Sequence, residues 1–197
     1  MKNAHIIGID EAGRGPLAGP VAVGAVCVSK DFDWGLIAGV ADSKVVTAKN
    51  REAIFRRATQ LKKQGILNFS VTQVSAATID TIGITQAVQQ GINSCLKKLN
   101  QKPNTTTVLL DGLLKAPPEY IHQETIIKGD AKEKVIGLAS ICAKVTRDRT
   151  LVRVAREYPN YHFDVHKGYG TKAHIKAITT YGLCPLHRHS FTRRFRS

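Results

Sequence analysis

The chain has 197 residues, is 43% hydrophobic and carries a formal net charge of +14. That length and apolar content suit one folded domain and exclude wholesale disorder. No run of about 18 apolar residues marks a membrane span, the start Met1-Lys2-Asn3-Ala4-His5 has no signal-peptide pattern, and Cys27, Cys95, Cys142 and Cys184 lack the spacing of a zinc site or disulfide framework, so a reduced, cytoplasmic setting is expected.

Ile6–Asp10 and Val21–Val28 read as strands, joined by the turn-rich segment 14–20. Residues 31–43 read as loop, and Thr47 as the N-cap of a helix reaching about Lys63. Leu67–Val74 is a third strand, Ser75 caps a short helix, and Ile84–Leu99 is an amphipathic helix closed before Pro103. Thr107–Asp111 and Glu124–Lys128 are two further strands. A long helical pattern runs from Lys132 to about Glu157, and a last helix spans Thr171–Tyr181 with Gly182 behind it. Strands and helices in this order describe a mixed α/β sheet with a helical C-terminal region. One domain is expected, with an α/β core to about residue 157 and a helical, basic region 158–197.

The charge is uneven. Residues 1–127 hold 14 Lys+Arg and 10 Asp+Glu, a net of +4, whereas residues 128–197 hold 15 and 5, a net of +10. Such a basic excess points to a polyanion partner, with a merely solvated basic surface as the alternative.

Against this background, Asp10-Glu11, Asp111 and Asp130 each fall at or just beyond the C-terminal end of an expected strand. Sites of open α/β sheets gather there. On neighbouring strands these acids would converge within a few ångströms, repel one another and raise their pKa values unless a hard divalent cation such as Mg²⁺ or Mn²⁺ joined them. Each acid alone has a plainer reading as turn former or helix cap, Asp111-Gly112 above all. Together, in a basic chain, they fit metal-dependent phosphoryl transfer on nucleic acid, in which two ions are the usual number.

Gly13-Arg14-Gly15 follows the first pair of acids and matches neither the dinucleotide fingerprint nor a P-loop. Glycines around one arginine let a backbone approach a ligand closely, and a tight turn is the alternative. Ser140, Lys144, Arg147 and Asp148 fall at i, i+4, i+7 and i+8 and share a helix face suited to phosphate contact or to solvent. His166, His187 and His189 match no metal-ligand spacing and read as phosphate contacts or structural residues.

GIDEAGRGPLAGP (residues 8–20), with Asp42-Ser43-Lys44, Leu110-Asp111-Gly112, Lys128-Gly129-Asp130, the block 139–148, His166-Lys167-Gly168-Tyr169-Gly170 and Pro185-x-His187-Arg188-x-Ser190-Phe191, closely resembles the bacterial ribonuclease HII family, type 2 ribonuclease H. The resemblance implies a ribonuclease H-like mixed five-stranded sheet flanked by helices. It implies an endonuclease that cuts the RNA strand of RNA–DNA hybrids and nicks duplex DNA on the 5′ side of an embedded ribonucleotide, leaving 3′-hydroxyl and 5′-phosphate ends. Asp10, Glu11, Asp111 and Asp130 match the family's metal-holding acids, with two Mn²⁺ or Mg²⁺ ions expected. Gly13, Arg14 and Gly15 match its reader of the 2′-hydroxyl, the group that separates RNA from DNA. Tyr169 matches the tyrosine that stacks on the following sugar, although by itself it reads as a core or turn residue. Lys44, Lys144 and Lys167 match positions near the nucleic-acid backbone. A monomer is implied.

Two rivals stand beside this reading. A ribonuclease HIII-like hybrid nuclease would carry a further N-terminal domain, for which a first strand at residue 6 leaves no room. A non-catalytic hybrid-binding protein would not need all four acids.

Overall fold

The structure is a computed structural model that describes residues 4–40 and 46–195. Five strands form one sheet: β1 (His5–Ala12), β2 (Val21–Ser29), β3 (Asn68–Val74), β4 (Thr106–Asp111) and β5 (Gln123–Ile126). Their spatial order is β3-β2-β1-β4-β5. β1–β2 and β2–β3 are antiparallel, whereas β1–β4 and β4–β5 are parallel. The sheet is therefore mixed, as expected, and β1 lies at its centre.

Alternation along the strands sends side chains to two cores. Ile7, Ile9, Val108 and Leu110 face a layer formed with α2 (Ala76–Ile82) and α3 (Ile84–Leu99). Ile6, Val26, Val28 and Leu109 face a second layer formed with α1 (Ala48–Lys63) and α5 (Lys134–Val154). Local chemistry starts α1 and α2 where expected. Thr47 accepts the Asn50 amide at 3.3 Å and Ser75 accepts that of Thr78 at 3.1 Å. Asn100 ends α3 in the left-handed conformation.

The helix α5 crosses the sheet and is buried on nearly every side over its first ten residues. It reaches the sheet because Gly24 has no side chain: a Cβ there would run into the carbonyl oxygen of Ala139. This close approach carries Ser140 to the end of β1.

Three expectations are corrected. β5 ends at Ile126 rather than Lys128, because Lys128 adopts a left-handed backbone (φ 57°) and turns the chain into the one-turn helix α4 (Gly129–Lys132). Glu133 is extended and separates α4 from α5, so the long helix begins at Lys134 rather than Lys132. Within the expected loop 31–43, Trp34–Ile37 forms a 3-10 turn capped by Asp33, and residues 41–43 lie outside the described residues.

Beyond α5 come α6 (Phe163–His166), α7 (Lys172–Tyr181), whose N-cap is Thr171 rather than its first helical residue, and α8 (His189–Thr192). Tyr161, Phe163, Ala177 and Cys184 pack with Leu151 of α5 and with Ala18 from the β1–β2 connection. All four cysteines are free and buried. Among the described residues no helix is long and apolar enough to cross a membrane.

Candidate active site

Strand alternation and register build the acidic cleft. The last registered pair of β1 and β4 is Ile9–Leu110. One step further stand Asp10 and Asp111, on the sheet face covered by α5. Glu11 alternates to the other side of β1. Asp130 reaches the same place from the first turn of α4 rather than from a strand end. Gly129, the residue before it, donates its amide to Asp111 Oδ1 at 2.6 Å and so ties α4 to β4.

These four acids line one cleft of about 470 Å³ with Gly13, Arg51, Ser140, Lys144 and Tyr169. Asp10 and Asp130 are buried. Burial pushes the Asp10 carboxyl up to about 8, and the charges of Glu11 and Asp111 add to the rise against the hydrogen bond from Ser140. Burial also raises Glu11, which Arg14 partly offsets from 3.3 Å.

The acids share this one cleft. Among the described residues no three acidic, histidine or cysteine side chains form a closed ligand group. The reason lies in their hydrogen bonds. Asp10 accepts the Glu11 amide at 2.7 Å, Asp111 accepts that of Gly129, and Glu11 turns to Arg14. Buried like charges with only oxygen donors nevertheless fit a hard divalent cation, which side-chain rotation would gather them around.

The basic residues divide. Lys144 lies in the cleft, paired with Asp148 at 2.9 Å, and its Nζ stands 5.6 Å from the centre of the Tyr169 ring. Tyr169 is 44% exposed, so it is not the core residue that its spacing alone allowed. Lys167 lies outside the carboxylate cleft. Its Nζ donates to the carbonyl of Asp164, and it borders a neighbouring groove with Arg51, Arg149, Arg153 and Arg156. Lys44 lies outside the described residues.

Arg147 does not face phosphate. It is fully buried, and its guanidinium donates to the carbonyls of Pro20, Lys167 and Ala18 at 2.8, 3.0 and 3.1 Å. Gly13 (φ 89°) makes room for it, since a Cβ there would strike Arg147 Nε. The buried His166 and His187 are structural. The His189 amide donates to Asp80 at 2.7 Å.

Sequence reasoning passed over Arg51, which carries no distinguishing pattern, and the anchoring role of Arg188. Arg188 is fully buried and donates to the carbonyls of Gly19, Arg14 and Gly13 at 3.0, 2.9 and 2.6 Å.

A mixed five-stranded sheet with acids beside its central strand and basic grooves around them defines a metal-dependent nuclease of the ribonuclease H class. The whole-chain comparisons narrow this. Residues 7–194 match the family described as ribonuclease HII. The ribonuclease HII of Endomicrobium trichonymphae is 43% identical over 187 residues, covering 95% of this chain and 85% of that one. The chain belongs to the ribonuclease HII family, and its activity is that of an RNA–DNA hybrid endoribonuclease. Solved structures share the fold. The ribonuclease HII in the PCNA complex from Archaeoglobus fulgidus has a TM-score of 0.77 at 21% identity, over 98% of this chain and 97% of that one. Bst-RNase HIII, solved in complex with Mn²⁺, has a TM-score of 0.66 at 16% identity, over 92% of this chain and 64% of that one.

Proposed function

We propose that this protein nicks duplex DNA on the 5′ side of an embedded ribonucleotide, besides cutting the RNA strand of hybrids, and acts as a monomer. The observation that carries the reading is the meeting, in one cleft, of the four acids with Gly13 and Tyr169. Asp10, Glu11, Asp111 and Asp130 are the residues that would hold divalent ions. Mn²⁺ or Mg²⁺ held there, two ions in the substrate complex, would supply Lewis-acid stabilisation and lower the pKa of the attacking water.

The chain's own residues do the rest. Water adds to phosphorus, the bond from phosphorus to the 3′ oxygen breaks, and 3′-hydroxyl and 5′-phosphate ends result. The Gly13-Arg14-Gly15 backbone reads the 2′-hydroxyl of the ribonucleotide, and the Tyr169 ring stacks on the next sugar. Lys144 neutralises phosphate beside the cut, and Lys44 and Lys167 contact the backbone farther out.

The test is a labelled DNA duplex with one ribonucleotide, incubated with Mg²⁺ or Mn²⁺, beside the all-deoxy duplex and a chelated control. A single 5′-side nick in the first alone is expected. Cleavage of a long hybrid with no nick at a lone ribonucleotide would restrict the activity to hybrids and favour an HIII-like preference. Binding without cleavage of either would favour the hybrid-binding alternative.

A further inference from the structure

We propose that Arg188 is a positioning residue that aims the Arg14 and Gly15 amides at the substrate. This rests on the reading of Gly13–Gly15 as the 2′-hydroxyl reader and adds what orients that loop. The two terminal nitrogens of Arg188 take the carbonyls of consecutive residues, Gly13 at 2.6 Å and Arg14 at 2.9 Å. Among the described residues every peptide bond is trans, and in a trans unit the C=O and N–H point in opposite directions. Drawing the Gly13 and Arg14 carbonyls onto one planar fork therefore turns the Arg14 and Gly15 N–H groups the other way, side by side.

Arg188 is wholly inside the protein while Arg14 and Gly15 are exposed, so away from Arg188 is outward. Among the described residues neither amide has a hydrogen-bond partner. Two adjacent outward amides form a small concavity suited to an oxygen ligand. The fork is itself held: Arg188 Nε donates to Gly19 at the far end of the loop, and the Arg188 amide donates to Leu17 O at 2.8 Å. Among the described residues no carboxylate forms an ion pair with Arg188, and burial with the nearby charge of Arg147 lowers its pKa to about 9 against the attraction of Asp80. Carbonyl capture, rather than ion pairing, is what this guanidinium does.

The experiment pairs Arg188→Lys with Gly15→Ala. Lysine keeps the cation but loses the fork. Alanine at position 15 meets nothing within 4 Å, so it leaves the loop in place and only obstructs the side from which a sugar must approach. Both variants are checked for folding by circular dichroism and for Mn²⁺ affinity, which should be unchanged. For folded Arg188→Lys, kcat on the single-ribonucleotide duplex should fall about 100-fold, as for misplacement near 1 Å, with KM little altered because phosphate contacts remain.

A folded Arg188→Lys enzyme with wild-type kcat, beside an inactive Gly15→Ala, overturns the role of Arg188 alone. Full activity of Gly15→Ala overturns the loop reading and with it this inference. Should Arg188→Lys not fold, ¹⁵N relaxation on the wild-type protein decides. Order parameters near 0.85 at Arg14 and Gly15 support a held loop, and values below about 0.6 overturn it.

Discussion

His174 and His187 meet Nε2 to Nε2 at 3.1 Å in the buried C-terminal cluster. The neighbours assign their protons. His187 Nδ1 accepts the Cys184 amide at 2.9 Å, so its Nε2 carries hydrogen and donates to His174 Nε2. His174 Nδ1 then donates to the Tyr169 carbonyl at 2.9 Å. The chain of bonds ends on the backbone of the tyrosine that lines the cleft. Each imidazole is both donor and acceptor: a proton added to His174 Nε2 sets two N–H groups against each other, and one added to His187 Nδ1 displaces the Cys184 amide and leaves only the Cys184 carbonyl, at 3.2 Å, to accept it.

Acid should therefore unfold this protein through these two rings. Burial lowers both to about 4, and the charges of His174 on His187, and of His166 on both, act in the same direction. A histidine depressed from 6.5 leaves the unfolded chain binding the proton first. Its contribution to stability is complete above pH 6.5 and is lost as pH falls toward 4. The unfolding free energy between pH 7.5 and 4.5, followed by denaturant titration, should fall with a slope to which each ring adds up to about 1.4 kcal/mol per pH unit. His187→Gln should flatten that slope, and an unchanged slope would show that these rings do not titrate between the two states.

Asp10→Asn should abolish cleavage while substrate binding persists. Asp10 stands beside Asp111 on one sheet face, and its buried charge is opposed by Glu11 and Asp111. Removing it takes away a proposed metal ligand and also a repulsion. The metal-free variant should melt higher than the metal-free wild type by roughly 2–8 °C, equivalent to about 1–2 kcal/mol in a chain of this size. Retained cleavage would exclude Asp10 from the metal site, and a lower melting point would show that its hydrogen bonds to Ser140 and Glu11 outweigh the repulsion.

The sheet was legible because Ile7, Ile9, Val108 and Leu110 alternate with residues of the other face, and the starts of α1 and α2 because Thr47 and Ser75 are effective caps. The acids were legible as a set, since they lie where strands end in a basic chain. Asp130 was misplaced because the turn before it needs a left-handed lysine at 128, which no propensity anticipates. Arg147 was misread for a different reason. Helical spacing tells which residues share a face, but not that the 13–20 and 166–170 loops cover that face. The bonds that tie the 13–20 loop to Arg147 and Arg188 join residues more than a hundred positions apart, beyond the reach of any local pattern.

Tyr169 should act through its ring rather than its hydroxyl. The ring is partly exposed in the cleft, with Lys144 Nζ 5.6 Å and the Arg147 guanidinium carbon 5.9 Å from its centre. Tyr169→Phe keeps that face and should cleave a single-ribonucleotide duplex at nearly the wild-type rate. Tyr169→Ala should lose about 1–3 kcal/mol of stacking, roughly 5- to 150-fold in kcat/KM. Equal rates for the alanine and wild-type enzymes would remove Tyr169 from the substrate site.

The groove of about 490 Å³ beside the cleft, bordered by Arg51, Arg149, Arg153, Arg156 and Lys167, is the place where the C-terminal charge excess meets the site. Glu52 neutralises Arg149 through two contacts at 3.1 and 2.5 Å, whereas Arg153 and Arg156 have no ion pair among the described residues. These two should contact successive phosphates of the duplex. Each neutralised phosphate contributes about 0.9 to the slope of log binding constant against log salt concentration. The double variant Arg153→Ala with Arg156→Ala should weaken binding at low salt and reduce that slope by nearly 2. Its melting temperature should hardly change, because exposed charges add little to stability. A slope equal to that of the wild type would mean that the duplex leaves the protein by another path, and that the charge of residues 128–197 acts only as a long-range attraction.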